Sequence, residues 1–232
     1  MQRRHFIAHS SLALLILAAT RQAQALTLSD LTEKDASAGI KAALQKGALA
    51  AVGLLGQPDG FLGNPKVKIP LPGNLEKAAE LLRMTGQGQK VDELVTTMNR
   101  AAETAVPMGK DLLVGAVKSM TVEDAKKILG GGDNAVTTFF ADKTREPLGV
   151  KFLPVVTQAT QKVNLAKSYN RVAGKLAMAG VIDGQTATIE SYVTGKTLDG
   201  LYTIIGEEER KIRQDPVGTG SAILKKVFGA IG

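Results

Sequence analysis

The chain of 232 residues contains no cysteine and no tryptophan, and its only histidines are His5 and His9. Without cysteine, the fold cannot depend on disulfides, and the chain cannot be a lipoprotein anchored through an N-terminal cysteine. Both histidines lie in a segment that we expect to be removed, so serine–histidine and cysteine–histidine catalysis and the usual zinc sites are excluded. We therefore expect no metal and no cofactor. An enzyme would have to use carboxylates, lysine, tyrosine or a hard metal ion.

Other signatures of known chemistry are missing as well. The sequence has no G-x-x-x-x-G-K-[ST] phosphate loop, no S-x-x-K signature and no D-x-D-x-D-G calcium loop. Aromatic residues make up only 4% of the chain, which together with export argues against nucleic acid as a partner. Beyond the N-terminal segment, the longest apolar run is Gly47–Leu55, which is too short for a transmembrane span.

Residues 1–25 have the pattern of a signal peptide. Arg3 and Arg4 precede an apolar stretch, and Ala23–Ala25 forms a cleavage site of the A-x-A type. We expect cleavage after Ala25 and a periplasmic location, with a retained membrane anchor as the alternative. The paired arginines fit both the Sec and the twin-arginine routes, so the route stays open. Cleavage removes three basic residues and no acidic one, which lowers the net charge from +7 to +4.

Residues 26–232 are predicted to form a single all-α domain, an irregular multi-helix bundle with one proline-rich extended loop. Apolar and small residues recur at spacings of three and four, which places them on one face of a helix. The first such face carries Ile40, Leu44, Gly47, Ala51 and Leu55.

Prolines and helix-capping residues predict several later helix boundaries. Pro107 should kink or split a helix, and Thr121 with Asp124 has the pattern of a capping box. Pro147 suits an early position in a helix. Two separate helices are expected at Thr188–Gly195 and Thr197–Gln214, and Pro216 should open a last one.

The proline-rich loop, residues 56–73, interrupts the helical pattern. Four of the eight prolines lie in it, and proline excludes regular helix. Apolar and polar residues alternate from Lys66 to Leu71, which predicts a short extended stretch with one apolar side. The loop either docks a partner by strand addition, acts as a lid, or packs over the helices as a strap. The candidate docking residues are Phe61, Pro65, Lys66, Lys68, Ile69 and Leu71.

Six charged residues make up a candidate polar site: Arg100, Glu103, Asp133, Asp199, Glu208 and Arg213. Arg100 and Glu103 stand three residues apart and form either a structural ion pair or part of the site. Asp133 is most simply a helix cap. Asp199 precedes Gly200, where we expect a close contact with another helix.

The acidic run Glu207–Glu209 is a second place where a site could form. We expect Glu208 to face inward, where burial would perturb its pKa, as often happens in functional sites. The other two should face water and pair with Lys211 and Arg213, four residues on. The alternative interpretation is that the whole acidic run forms a solvated helix face with no site.

Five strings of the sequence together resemble one family. They are NPxVKIPLP at 64–72, MNRAAE at 98–103, DAKKILxGGD at 124–133, DGLY at 199–202 and EEERKIRQDP at 207–216. The chain resembles the bacterial domain-of-unknown-function family 4197, over about Leu28 to Phe228. The resemblance implies an exported, mainly helical protein of Gram-negative bacteria, and it implies no activity and no catalytic residues.

Two functions fit these observations. The first is a non-catalytic binding or interaction protein of the bacterial envelope, whose partner is an apolar small molecule held between helices or another envelope protein. The alternative is an envelope hydrolase that uses carboxylates on glycans. A structural envelope protein without a pocket is a third reading. Carboxylates that converge in an open cleft would favour the hydrolase, whereas dispersed or paired carboxylates would favour binding.

Overall fold

The computed structural model describes residues 33–132, 135–180 and 187–215, and these residues form helices and connecting loops without a β-strand. The all-α prediction is confirmed. The helices are α1 (Glu33–Leu55), α2 (Gly73–Met84), α3 (Gly88–Ala105), α4 (Lys110–Lys118), α5 (Val122–Gly130), α6 (Ala135–Thr160), α7 (Asn164–Met178) and α8 (Ile189–Gln214). The signal segment, Asp133 and the helix expected after Pro216 lie outside the described residues.

Three long helices, α1, α6 and α8, form the centre of the fold. Helix α8 packs against both α6 and α1, and α3 packs against α6 and α8. The face of α1 predicted from the spacing of its apolar residues is buried, including Ile40, Leu44 and Leu55. At Gly47 an added Cβ would lie 3.6 Å from the Cβ of Glu208, which is ordinary van der Waals contact, so α1 and α8 are close neighbours here with room for a methyl group.

Within the described residues, Ser37–Leu55 of α1 is long and apolar enough to cross a membrane by length and composition alone. Half of this segment is buried inside the fold. Because α1 packs against α8, α4 and α5, its apolar character is that of a core helix.

The predicted break between two helices near Gly195 is wrong. Residues Ile189–Gln214 form one continuous helix, capped by the Thr188 hydroxyl, which accepts the backbone N–H of Ser191. A glycine inside a helix costs only about 1 kcal/mol relative to alanine. The packing of α8 against both α1 and α6 outweighs this cost, so the helix continues through Gly195.

Pro107 and the two prolines inside α6 have different effects. Pro107 lies in a 3₁₀ turn, Val106–Gly109, that separates α3 from α4, as expected. Pro147 was expected near a helix start, but it lies in the interior of α6 together with Pro154. Helix α6 tolerates both because it is long and packs against α3, α4 and α8.

Candidate functional site

The proline-rich loop lies over α3 and α8 with its apolar side buried. The side chains of Phe61, Ile69 and Leu71 are buried, whereas Pro65, Lys66 and Lys68 are exposed. This is the packing of a strap, and we call residues 56–72 the strap. Its apolar side chains are covered by the protein's own helices, so docking through the exposed side stays a prediction.

Asn99 on α3 holds the middle of the strap. Its side-chain oxygen accepts the Ile69 N–H at 2.8 Å, and its amide nitrogen donates to the Ile69 carbonyl at 3.0 Å and to the Val95 carbonyl at 2.8 Å. Asn99 is fully buried. Asn99 was not singled out from the sequence. Its position between the apolar residues Met98 and Ala102 could have indicated a buried polar role, because asparagine is usually exposed.

The Arg100–Glu103 pair anchors the start of the strap. The two side chains form an ion pair of 2.7 Å, and Arg100 also binds Asp59 at 2.8 Å. The buried Glu103 carboxylate accepts the backbone N–H groups of Phe61 at 3.0 Å and Leu62 at 3.1 Å. The hydrogen bond with Glu103 raises the pKa of Arg100 above its usual value. Both carboxylate oxygens of Glu103 are therefore engaged, Oε1 by the strap and Oε2 by Arg100.

Helix α8 also packs against the strap. An added Cβ at Gly200 would lie 2.8 Å from the Phe61 ring and 3.2 Å from the Cβ of Val67. The close contact expected at Gly200 therefore exists, but it is made with the strap and not with a helix. The Tyr192 hydroxyl donates to the Pro70 carbonyl at 3.1 Å, so α8 also binds the end of the strap.

Asp199 is half-exposed and paired. Its carboxylate forms a 2.7 Å ion pair with Arg145 of α6 and lies 3.9 Å from Lys196. Arg145 also lies 6.0 Å from the ring centre of Tyr202. This pairing links α6 to α8 on the surface, which explains an aspartate inside α8 without catalysis.

The expected orientation of the acidic run is wrong in part. Glu209 is the buried member, with 4% of its surface exposed, because it lies four residues after Ile205 and three before Ile212 and shares their stripe. Glu207 pairs with Lys66 of the strap at 2.9 Å.

Glu208 is only partly buried and pairs with Lys211 at 2.6 Å. The side chain of Arg213, like all of Asp133, lies outside the described part of the chain.

The described members of the candidate polar site do not converge. Arg100 and Glu103 line a cavity of about 250 Å³ beside the strap, whereas Glu208 lines another of about 290 Å³ between α1 and α8. Asp199 lines neither of these cavities. In the part of the chain that the structure describes, no group of three or more carboxylates is placed to hold a metal ion.

A larger cavity opens between α5 and α6, with a volume of about 670 Å³. We call it the α5–α6 cleft. Its apolar wall includes Ile128 and Phe139, which are both almost fully buried. Its charged residues are Asp124 and Lys127 from α5 and Asp142 and Lys143 from α6.

Local sequence explains the shape of the cleft. Thr121 and Asp124 form the predicted capping box, which fixes the start of α5. The Thr121 backbone N–H and then its hydroxyl lower the pKa of the Asp124 carboxyl. At the other end, Gly131 permits a tight connection into α6, since a Cβ there would lie 2.5 Å from the Cβ of Ala135. The two walls are therefore held at both ends of α5.

The five family-like strings fall into two structural groups. Four of them contribute to the strap or to its contacts with α3 and α8, through Ile69, Asn99, Gly200 and Glu207. The fifth, residues 124–133, supplies the α5 wall of the cleft. The strings that carry the resemblance therefore form the strap with its contacts on α3 and α8, and one wall of a cavity.

No curated protein and no solved structure matches the chain. The sequence model of a family described as proteins of unknown function (DUF4197) matches residues 30–229, so the chain belongs to that family.

Proposed function

We propose that the protein is a non-catalytic binding protein of the bacterial envelope, and that it holds a small, mainly apolar molecule in the α5–α6 cleft. The observation that carries the proposal is the cleft itself. Its volume of about 670 Å³ and its apolar wall of Ile128 and Phe139 suit a small organic ligand. Ligand sites in proteins typically have volumes of roughly 300–1,000 Å³ and combine apolar walls with a few polar groups.

The charged rim indicates how such a ligand is oriented. Lys127 and Lys143 lie on the cleft together with Asp124 and Asp142, so both charge signs are present. A ligand with an apolar body and one polar or ionised end fits this arrangement. The charged rim sets the orientation of the ligand, and the apolar wall contacts its body.

The engagement of the other carboxylates supports a role without catalysis. Glu103 holds the strap, Asp199 pairs with Arg145, and Glu208 pairs with Lys211. Each has a structural partner, and the three do not share a cavity. Carboxylate catalysis needs two groups that flank one substrate bond.

A glycan hydrolase acting in the α5–α6 cleft would have to use Asp124 and Asp142, which both line it. A general acid needs a raised pKa so that it is protonated at the working pH. The hydrogen bonds from Thr121 lower the pKa of Asp124, which suits the ionised member of such a pair but not the acid. The acid would then have to be Asp142, and the apolar wall of the cleft favours an apolar ligand over a glycan.

The envelope location rests on the N-terminal sequence. Arg3 and Arg4, the apolar stretch after them and the Ala23–Ala25 site together support export. A periplasmic protein without cysteine needs no oxidative folding, which is consistent with this location.

The test uses a variant that fills the cleft. Thr138 is exposed and lines the cleft, so Thr138→Trp places a large ring there without disturbing the core. The matched control is Thr203→Trp, at an exposed threonine within α8. Native mass spectrometry of the purified proteins, followed by extraction and identification of small molecules, measures what each one retains.

We expect a small molecule to copurify with the wild type and with Thr203→Trp, and to be lost from Thr138→Trp. Equal retention by both variants would place the ligand elsewhere. If an added glycan were cleaved, and this cleavage required Asp124 and Asp142, the hydrolase would be supported and the binding proposal would be wrong.

A further inference from the structure

Helix α7 lies in a part of the chain that has no acidic residue. Residues 147–182 contain Lys151, Lys162, Lys167, Arg171 and Lys175, but no aspartate or glutamate. The last three belong to α7, and all three are exposed. We call Lys167, Arg171 and Lys175 the basic stripe. Positive charge is therefore concentrated on one helix of a chain that otherwise mixes both signs.

The basic stripe points away from the protein. Its members stand four residues apart, so they lie one above the other along a single face of α7. The residues on the opposite face, Ala166, Tyr169 and Ala173, are buried. The packing of α7 thus uses one face completely and leaves the basic face for contacts with something outside the fold.

The arrangement is unfavourable for the helix itself. Like charges four residues apart repel each other and destabilise a helix. Lys167 lies in the first turn, where the helix dipole disfavours a cation, and that turn contains no acidic residue. Only Lys175, in the last turn, is placed where the dipole favours it. The stability of α7 therefore does not explain the basic stripe.

Neighbouring carboxylates do not pair with the basic stripe. Among residues 33–132, 135–180 and 187–215, none of its three side chains forms an ion pair. Glu190 of α8 contacts α7, but its two oxygens accept hydrogen bonds from Thr160 and Asn170. The three cationic groups are therefore available to an anionic partner.

Exposed apolar side chains accompany the charges. Met178 follows Lys175 by three residues, which places it on the same side of α7, and it is 92% exposed. Val172 flanks the stripe and is 60% exposed. A helix face that combines lysine and arginine with exposed apolar side chains is typical of contact with a membrane surface. There the cations meet the headgroups, and the apolar groups enter the boundary with the acyl chains.

We infer that the outer face of α7 binds the surface of a bilayer that contains anionic phospholipids. The basic stripe contacts the lipid phosphates, and Met178 and Val172 enter the boundary between headgroups and acyl chains. An acidic protein would attract the charges, but a bilayer accommodates the charges and the apolar side chains together without a matching shape. This surface is separate from the α5–α6 cleft, whose charged residues belong to α5 and α6.

The test measures cosedimentation of the chain from Leu26 to Gly232 with lipid vesicles. One set consists of phosphatidylcholine and phosphatidylglycerol in equal parts, and the other of phosphatidylcholine alone. The chain should bind the anionic vesicles at least about tenfold more tightly than the neutral ones. Salt at about 1 M, where the Debye length is about 3 Å, should remove most of this difference.

Neutral variants of the basic stripe locate the contact. Replacing all three residues by glutamine keeps good helix formers and removes their repulsion, so the melting temperature should be unchanged or higher. Each basic residue near an anionic bilayer strengthens binding about fivefold, so this triple variant should bind at least about tenfold more weakly. A control triple variant removes the same charge from exposed lysines outside α7 and should lose about threefold or less. It combines Lys68→Gln, Lys110→Gln and Lys118→Gln.

A pair of methionine variants tests the apolar part of the contact. Met178→Ser should weaken binding to anionic vesicles by about threefold to tenfold, because an apolar side chain no longer leaves water. The melting temperature should not change, since the side chain is already exposed in the free protein. The control is Met84→Ser, at a methionine of α2 that is 85% exposed, and it should leave binding unchanged.

The proposal is overturned if the wild type does not bind anionic vesicles or binds neutral ones equally well. Equal affinities of the two triple variants, or of the two methionine variants, also overturn it. Tighter binding to soluble polyglutamate than to vesicles would assign the basic stripe to an acidic protein instead. Thr138→Trp, which blocks only the α5–α6 cleft, should leave vesicle binding unchanged, so this inference and the proposed function fail separately.

Discussion

Asn99 pairs with both main-chain groups of Ile69, accepting its N–H at 2.8 Å and donating to its carbonyl at 3.0 Å. A neighbouring β-strand would make the same two bonds. Because the strap has no such neighbour among the described residues, one side chain from α3 takes that role. This is how an extended segment lies buried on a helical protein without losing its hydrogen bonds.

Truncation of Ile69 tests the strap directly. The side chain is 1% exposed and lies in the core, so Ile69→Ala should lower the free energy of unfolding by about 2–5 kcal/mol. Lys68→Ala, at the exposed neighbour, is the control and should change it by less than about 0.5 kcal/mol. Chemical denaturation of both variants measures the difference. If Ile69→Ala kept full stability but lost a partner in a pull-down, the loop would be a docking edge.

Loss of the Asn99 amide should be as costly as loss of a core side chain. Asn99→Leu keeps the volume but leaves the Ile69 N–H and carbonyl buried without partners. Each such group costs about 1–3 kcal/mol, so we expect a loss of about 2–6 kcal/mol for the two. The control is Asn64→Ala, which removes only an exposed hydrogen bond to Lys66 and should cost little. Equal melting temperatures for the two variants would contradict this role of Asn99.

Variants of Glu103 separate its two tasks. Glu103→Ala removes the acceptor for the Phe61 and Leu62 N–H groups and should cost about 2–4 kcal/mol. Glu103→Gln keeps an acceptor and loses mainly the ion pair with Arg100, a partly exposed pair worth about 1 kcal/mol or less. Arg100→Ala also removes the pair with Asp59 and leaves the buried Glu103 carboxylate without a charge partner, so it should be less stable than Glu103→Gln in urea denaturation. If the glutamine variant were as unstable as the alanine variant, the charge would be the essential feature.

Local patterns in the sequence predicted most of the fold. The face of α1, the split at Pro107 and the capping box at Thr121 all follow from spacing and turn chemistry within a few residues. The continuity of α8 through Gly195 could not be predicted in this way, because it depends on packing against two helices that are distant in sequence. The burial of Glu209, by contrast, could have been predicted from local spacing, because Glu209 lies four residues after Ile205 and three before Ile212.

The candidate site was harder to predict than the helices. Arg100 and Glu103 were correctly paired, but their partners in the strap are about 40 residues away in sequence. The α5 wall of the α5–α6 cleft belongs to the string at residues 124–133, but these ordinary lysines, aspartates and small residues do not by themselves indicate a cavity. Their importance comes from the empty space between helices, and only the packed structure defines that space.

The capping box of α5 should make stability depend on pH. The hydrogen bonds from Thr121 lower the pKa of Asp124 in the folded state. Their contribution is therefore present above the unfolded pKa of about 4, and it is lost as the pH falls through the lower folded value. Asp124→Asn should lower Tm by about 2–4 °C at pH 7, and this difference should shrink below about pH 4. A difference that is constant down to pH 2 would show that ionisation does not matter.

The N-terminal segment yields a prediction on processing. We expect N-terminal sequencing of the periplasmic protein to begin at Leu26, because Ala23 and Ala25 supply the small residues that signal peptidase reads. Ala25→Phe should block cleavage and leave the chain in the membrane. Intact Met1 in the membrane fraction of the wild type would show that the segment is an anchor.

The route of export can be tested with the paired arginines. Replacing both Arg3 and Arg4 by lysine keeps the positive charge that the Sec route needs, but it removes the pair on which the twin-arginine route depends. Cleaved protein in the periplasm at wild-type yield would therefore assign the chain to Sec. Accumulation of the uncleaved precursor would assign it to the twin-arginine route, because charge alone would then not be sufficient. Replacement of Arg21 by lysine is the control, since this residue lies outside the arginine pair and should leave export unchanged by either route.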